Sequence, residues 1–374
     1  MDYETPQFFR IMQYADAADR DIVDMVSGNP DWEPPDALRE GLRTYADGDP
    51  ADFQYPASEG LPDLREEIAA RRGVDVSRVL VTNGAGEANH LATHGAIEAL
   101  DGDEVLFADP VYPYYAGRAN LLGAEGTLVP VSADGHLDPD TVREYASADT
   151  AAIVLNTPNN PMGVTYSGET VREIAAIAED CDALVISDEV YDHIDFSGRF
   201  ESALTAHSDH VVVTNSFSKS LAITGWRVGY AIFPLADAPA PFGGLHERAK
   251  TRHMLTNLTV SRPAQAAVVH ALRNTDPEYY QEVRARLQDR IDAFTAALDA
   301  AGAEYTEPEG AFYVMAKFPG YESTFENVRA LIDEGGVAGM PGEAFGYERA
   351  DWFRFALVTP RVEEAAQRLE AFFG

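Results

Sequence analysis

An α/β fold is predicted: a large domain over residues 46–274, with a mostly parallel sheet covered by helices, and a smaller α/β domain built from residues 1–45, including an N-terminal arm, and 275–374. Three observations predict it. The chain of 374 residues is too long for one small core. Short β-branched runs alternate with helical patterns, an alternation that builds a parallel sheet. Polar residues gather directly after those runs, where open α/β sheets bind ligands.

In chain order, the segment Tyr3 to Tyr14, with Phe8 and Phe9, reads as a first helix in preference to an arm packed across a dimer. Pro30, Pro34 and Pro35 around Asp31-Trp32-Glu33 then break the chain. Val79-Leu80-Val81, Val105-Leu106-Phe107, Ala152-Ile153-Val154-Leu155, Ala183-Leu184-Val185-Ile186 and Val211-Val212-Val213 read as buried strands. A helical run from Ala88 to Leu100 follows the first of them. From Glu169 to Glu179, Val171, Ile174, Ala175 and Ala178 share one face, which marks an amphipathic crossover on the sheet. Asp276-Pro277 opens a long helix from Tyr279 to about Ala301. Gly310-Ala311-Phe312-Tyr313-Val314 and Trp352-Phe353-Arg354-Phe355-Ala356 read as strands, with a helix near Phe325 to Glu334 between them.

Charge narrows the function. Lys+Arg 28 against Asp+Glu 62 gives −34 with 45% hydrophobic residues, a folded chain with an acidic surface. Nucleic acid and anionic membrane are discounted as partners, because both are bound by basic clusters. So acidic a surface, with only Lys219, Lys250 and Lys317 as lysines, suits a halophilic setting in which salt screens self-repulsion. The single Cys181 allows no internal disulfide and no thiolate-built metal site. Met1-Asp2-Tyr3-Glu4-Thr5 lacks the basic and apolar parts of a signal peptide, and no apolar run would span a bilayer, so a cytoplasmic location is expected.

The chemistry centres on Lys219, in Ser216-Phe217-Ser218-Lys219-Ser220-Leu221-Ala222-Ile223-Thr224-Gly225-Trp226-Arg227. An amine among hydroxyls, with an arginine downstream, suits a carbonyl cofactor that carries a phosphate: amines condense with carbonyls and guanidinium grips phosphate bidentately. Pyridoxal phosphate is the candidate. Gly84-Ala85-Gly86, between strand and helix, would turn backbone N–H groups toward an anion. It reads equally as a structural turn, and a dinucleotide-binding turn would want Gly or Ala where Asn89 stands. Asp188 ends a buried strand, where a carboxylate needs a cation or several donors. A protonated pyridine nitrogen would serve, as would a capping role in the next turn. Tyr191, and Asn160 in Asn156-Thr157-Pro158-Asn159-Asn160-Pro161-Met162-Gly163, would reach the phenolic oxygen of the same ring. Asp192, His193 and Asp195 invite a metal reading but lack a fourth ligand, so a solvated loop edge is preferred and no metal is expected. Arg349 reads as a surface residue.

From about Ser27 to Ala356 these residues resemble, motif by motif, the class I/II pyridoxal-phosphate aminotransferases of fold type I. The resemblance implies that Lys219 carries the cofactor and that Ser216, Arg227 and the Ala85-Gly86 turn hold its phosphate. It implies that Asp188 holds the pyridine nitrogen, Asn160 and Tyr191 contact the phenolic oxygen, and Tyr112 in Asp109-Pro110-Val111-Tyr112-Pro113 stacks on the ring. Arg354 would clamp the substrate α-carboxylate, bordered by Gly28 in Ser27-Gly28-Asn29-Pro30. Tyr55 would reach the phosphate of the neighbouring subunit in a homodimer. Two positions depart from the family pattern: Met162, where Thr is commoner, and Gly86, where a hydroxyl residue often aids phosphate binding.

The expected reaction is ping-pong transfer of an amino group between an amino acid and a 2-oxo acid. Lys219, Asp188 and Tyr191 would be the catalytic groups, and Gly28, Asn160 and Arg354 the substrate contacts. No arginine is placed for a distal carboxylate, so a neutral or aromatic donor is expected, with Tyr14, Trp32, Trp226 and Met340-Pro341-Gly342 as candidate specificity residues. Carbon–sulfur lysis, or other α-carbon chemistry on the same scaffold, is the alternative. A transcription regulator would want a basic module ahead of residue 27, and a nicotinamide dehydrogenase leaves Lys219 and Arg227 unexplained.

Overall fold

The computed structural model describes residues 7–100 and 102–374, so Tyr3 to Pro6 of the expected first helix lie outside the described residues. The strands are β1 (Val23–Asp24), β2 (Val79–Thr82), β3 (Glu104–Asp109), β4 (Glu125–Pro130), β5 (Thr150–Asn156), β6 (Leu184–Asp188), β7 (Val211–Ser216), β8 (Gly229–Ile232), β9 (Glu304–Tyr305), β10 (Tyr313–Lys317), β11 (Val337–Ala338), β12 (Met340–Pro341) and β13 (Phe353–Ala356). The helices are α1 (Gln7–Asp16), α2 (Asp36–Ala46), α3 (Pro62–Arg72), α4 (Ala85–Ala99), α5 (Tyr114–Leu121), α6 (Pro139–Tyr145), α7 (Gly168–Asp180), α8 (Phe217–Ser220), α9 (Leu245–Asn257), α10 (Arg262–Asn274), α11 (Pro277–Ala300), α12 (Phe325–Ala330) and α13 (Val362–Phe373).

A 7-stranded sheet in the order β2-β8-β7-β6-β5-β3-β4 forms the centre, parallel throughout except for β8, which runs antiparallel to both its neighbours. Apart from the edge strand β4, its strands are buried on both faces, which is why they read as continuous apolar runs. Val79, Val81, Ile153, Leu155, Val211 and Val213 point into one core with Leu64 of α3, Val171 of α7 and Val268 of α10. The alternate residues Leu80, Ala152, Val154 and Val212 point into the other with Leu91 of α4, Tyr115 of α5 and Leu245 of α9. Ser167 caps α7 by accepting from the Thr170 N–H, and Asp276 caps α11 by accepting from Glu278.

A 4-stranded antiparallel sheet, β12-β13-β10-β9, and a 2-stranded pairing of β1 with β11 lie to one side. Their core joins Ile11 and Val23 from the start of the chain to Phe294, Phe353, Phe355 and Leu369 from its end. A fourth cluster, including Trp32, Tyr191, Phe312 and Tyr313, links this layer to the end of β6. No helix among the described residues is long and apolar enough to cross a membrane.

Several elements differ from the sequence reading. β4 was not anticipated: it is the sheet edge, partly exposed, and holds Gly126 and a terminal Pro130, which weaken a strand pattern. Nor was β8, only four residues long and opening on a glycine. The strand expected from Gly310 begins at Tyr313, and the helix from Phe325 gives way after Ala330 to a wider π turn over Leu331–Gly335.

Candidate active site

Register brings the site together. Asn156 pairs with Asp188 and Asp188 with Thr214, so the carboxyl ends of β5, β6 and β7 lie level. Because β8 returns between β2 and β7, Gly229 pairs with both Thr82 and Ser216. The turn after β2, the end of β7 and Arg227 ahead of β8 therefore meet at one point. A cavity of about 720 Å³ opens there. It is lined by Gly28, Ala85, Gly86, Tyr112, Asn160, Asp188, Tyr191, Ser216, Lys219, Arg227 and Arg354. Of the residues expected to hold the coenzyme or the substrate α-carboxylate, Tyr55 alone does not line it; that side chain is 80% exposed.

Lys219 sits on the single turn of α8, directly after β7. Its Nζ donates to the Gly28 carbonyl at 2.7 Å and lies 5.6 Å from the Phe312 ring centre. Desolvation, reinforced by the Arg227 and Arg354 charges and opposed by Asp188, lowers its pKa to about 8. The residue is half-buried, so part of it stays open to the cavity. Gly28 is required by close approach: a Cβ there would strike the Tyr313 hydroxyl.

Among the described residues Asp188 is met by donors and by no cation. Its Oδ2 accepts from Asn89 Nδ2 at 2.6 Å and Tyr115 Oη at 2.7 Å, while Oδ1 takes a longer 3.3 Å bond from the Val190 N–H. Thr214 Oγ1 donates to Asn89 Oδ1 at 2.8 Å, which fixes that amide. Burial nevertheless dominates and raises the Asp188 pKa. A carboxylate so held, with one oxygen lightly used, is suited to a further cationic N–H donor.

Arg354 on β13 is 2% exposed. It donates to Asn160 Oδ1 at 3.5 Å and to the Val26 carbonyl, and its plane lies 4.8 Å from the Tyr313 ring and 5.2 Å from Phe345. Its buried Nε has no hydrogen-bond partner among the described residues. Desolvation lowers its pKa. Such a guanidinium offers a fork for a planar anion.

At the opposite end of the cavity, Gly84 takes φ 78, and a side chain there would collide with Arg227. Arg227 itself is held in the left-handed region at φ 56, an uncommon state for a non-glycine residue, with Nη1 donating to the Thr224 carbonyl at 2.8 Å. Asn215 Oδ1 accepts from the Ser216 N–H at 2.6 Å, and Asn215 Nδ2 bonds the Glu189 carbonyl and Asp192 Oδ2, both at 2.9 Å. Asp192 is thus no solvated edge: its side chain is 13% exposed and pairs with Arg72 at 2.5 Å. His193 stacks on Tyr280, and the Asp195 carboxylate binds Ser197. Arg349 is half-buried, its guanidinium 4.6 Å from the Trp352 ring centre.

The sequence reading missed several cavity residues. Asn89 reads from the sequence only against a dinucleotide turn, and nothing in the sequence singles out Tyr115. Tyr313 was read only as strand, yet its hydroxyl lies 3.1 Å from that of Tyr191 and burial raises the pKa of both phenols. A lone hydroxyl in the apolar run Ala311 to Met315 was the available signal. The proposed specificity residues do not line the cavity: Trp32 packs on Phe312 and Tyr14 donates to Asp333, whereas Phe9, Met12 and Tyr114 face the open space.

Residues 20–369 match the family model for aminotransferase class I and II. The chain is 30% identical to an aspartate aminotransferase of Pyrococcus horikoshii over 364 residues, 94% of this chain and 90% of that one. It is 32% identical to an aspartate aminotransferase of Thermotoga maritima over 368 residues, 95% and 92% of the two chains. The solved aspartate aminotransferase of Thermus thermophilus with maleate superposes with a TM-score of 0.88 at 26% identity, covering 99% of this chain and 97% of that one. Likeness along nearly the whole length, over a cavity lined by the same motifs that suggested it, makes this chain a member of the class I and II aminotransferases, transaminases that depend on pyridoxal 5′-phosphate.

Proposed function

We propose that this transaminase uses Lys219 as the amine that carries the coenzyme and moves the substrate proton, Asp188 as partner of the ring nitrogen, and Arg354 as the clamp on the substrate α-carboxylate. The observation that carries this is one cavity holding a lysine amine with its pKa lowered to about 8, a buried carboxylate and a buried arginine with an unused N–H. Bound there, pyridoxal phosphate supplies a carbonyl for amines and a ring that withdraws electrons from the substrate α-carbon.

The chain's own groups set the conditions. Lys219 Nζ, deprotonated in part near neutral pH, would hold the coenzyme through its amine and, once displaced by the substrate amine, would accept and return the α-proton. The Tyr191 hydroxyl, hydrogen-bonded to Tyr313, and the Asn160 amide are donors for the phenolic oxygen. Tyr112 supplies an aromatic face, and Arg354 fixes the α-carbon bond to be broken. Ser216, Arg227, Ala85 and Gly86 take the phosphate.

The donor is a neutral or aromatic amino acid, a reading supported by Phe9, Met12 and Tyr114 at the cavity. The names of the relatives, aspartate aminotransferases, favour a dicarboxylic donor as the second reading. The active form is a homodimer in which Tyr55 reaches the neighbour's phosphate. Supporting it, residues 51–57 adjoin 257–262 through Arg262 and Thr259, and this face exposes Phe53, Tyr55 and Leu255. Borohydride reduction after coenzyme uptake should label the Lys219 peptide; label elsewhere, or none, refutes the assignment. A single-turnover panel of amino acids then decides the donor: fastest turnover of aspartate and glutamate would overturn the neutral or aromatic reading.

A further inference from the structure

Two guanidinium groups, not one, converge on the first turn of α4. Arg118, from the second half of α5, places Nη2 3.3 Å from the point where a Cβ on Gly86 would stand, nearer than the 4.0 Å of Arg227 Nη2. It lines the same cavity as Ala85, Gly86, Ser216 and Lys219. Its Nη1 is buried and has no hydrogen-bond partner among the described residues. The face of Tyr115, 5.9 Å from the guanidinium, holds its plane. In a chain with 62 acidic residues against 28 basic ones, a buried guanidinium N–H left without an acceptor is costly unless an anion completes it.

We propose that Arg118 is a second phosphate anchor, gripping the phosphate of pyridoxal phosphate jointly with Arg227 over the α4 N-terminal turn. Gly86 leaves room for it: a Cβ there would stand 3.3 Å from Arg118 Nη2, a tight approach that the guanidinium would have to yield to. Arg118 thereby supplies donors at the position where a hydroxyl at residue 86 would have done so, and its fork matches phosphate oxygens better than one hydroxyl does. The convergence of both arginines on one glycine favours a single shared anion over a separate substrate carboxylate. This inference rests on the reading of the cavity as the coenzyme site.

The test is titration of the coenzyme-free Arg118→Met and Arg118→Lys chains, in phosphate- and sulfate-free buffer, with pyridoxal phosphate and separately with pyridoxal, which has no phosphate. Loss of a charged hydrogen-bonding group should raise the Kd for pyridoxal phosphate about tenfold to a hundredfold in Arg118→Met, with part of the loss recovered in Arg118→Lys. The Kd for pyridoxal should stay within about twofold of wild type, since the contact it lacks is the one removed. Unchanged affinity for pyridoxal phosphate overturns the proposal, as do equal losses for both ligands, which would mark a role in the fold. A raised KM for aspartate at unchanged coenzyme affinity overturns it too, by assigning Arg118 to a substrate carboxylate. Should wild type bind neither ligand, the coenzyme-site reading itself falls and takes this inference with it.

Discussion

Replacing Lys219 by methionine should make the coenzyme-free chain more stable at neutral pH, not less. The amine's pKa falls from 10.5 to about 8, which corresponds to about 3 kcal/mol of unfavourable charge burial. Between those values the folded chain binds fewer protons than the unfolded one. Stability therefore rises with pH across this window, and the penalty is at full size below pH 8. Methionine removes the penalty but also the 2.7 Å bond to the Gly28 carbonyl, a loss of about 1 kcal/mol. Allowing for solvent screening of a half-buried side chain, Lys219→Met should gain about 1–2 kcal/mol at pH 7. Near pH 10.5 the order should reverse, since only the lost hydrogen bond remains. Urea midpoints of both coenzyme-free chains at the two pH values, in constant salt, measure the difference. A variant less stable at pH 7, or a difference that ignores pH, would refute the claim that this amine is held desolvated.

Tyr115→Phe deletes a 2.7 Å donor to Asp188; at about 1.5–3 kcal/mol for a hydrogen bond to a charged group, kcat should drop about tenfold or more. The acid limb of its pH–rate profile should move to higher pH, because the remaining donors stabilise the carboxylate less; an unmoved limb counts against the role given to Asp188. Arg354→Ala should raise KM for amino acids about a hundredfold through loss of a two-pronged contact, with coenzyme affinity changed less than about threefold. Comparable damage to coenzyme binding would remove Arg354 from the substrate end. With a net charge of −34, dialysis from molar to millimolar salt should lower the thermal midpoint steeply, and an unchanged midpoint would dispose of the halophilic reading.

Groups whose chemistry is set by near neighbours in the chain were legible. Lys219 with Ser216 and Arg227, Asp188 at a strand end and Arg354 between phenylalanines each carry the required group within one short segment. Asn89, Tyr115 and Tyr313 were not, because what makes them site residues is the partner across the fold: Asp188 for the first two, Tyr191 and Arg354 for the third. Nothing in the sequence around Arg118 marks it as a site residue; only the docking of α5 beside α4 sets it against Gly86. Asp192 misled for the same reason, since nothing near it in sequence announces Arg72.

The sequence by itself determined the fold class and the family and singled out Lys219 as the candidate reactive amine, because apolar period and local side-chain chemistry are properties of contiguous residues. Tertiary structure alone decided that β8 returns between β2 and β7, and with it the meeting of the Gly84 turn, Ser216 and Arg227. It also decided the depth to which Lys219 and Arg354 are buried, and so the direction in which their proton affinities move. The physical reason is that strand order and desolvation depend on which distant segments share one core, and no local run of residues contains that information.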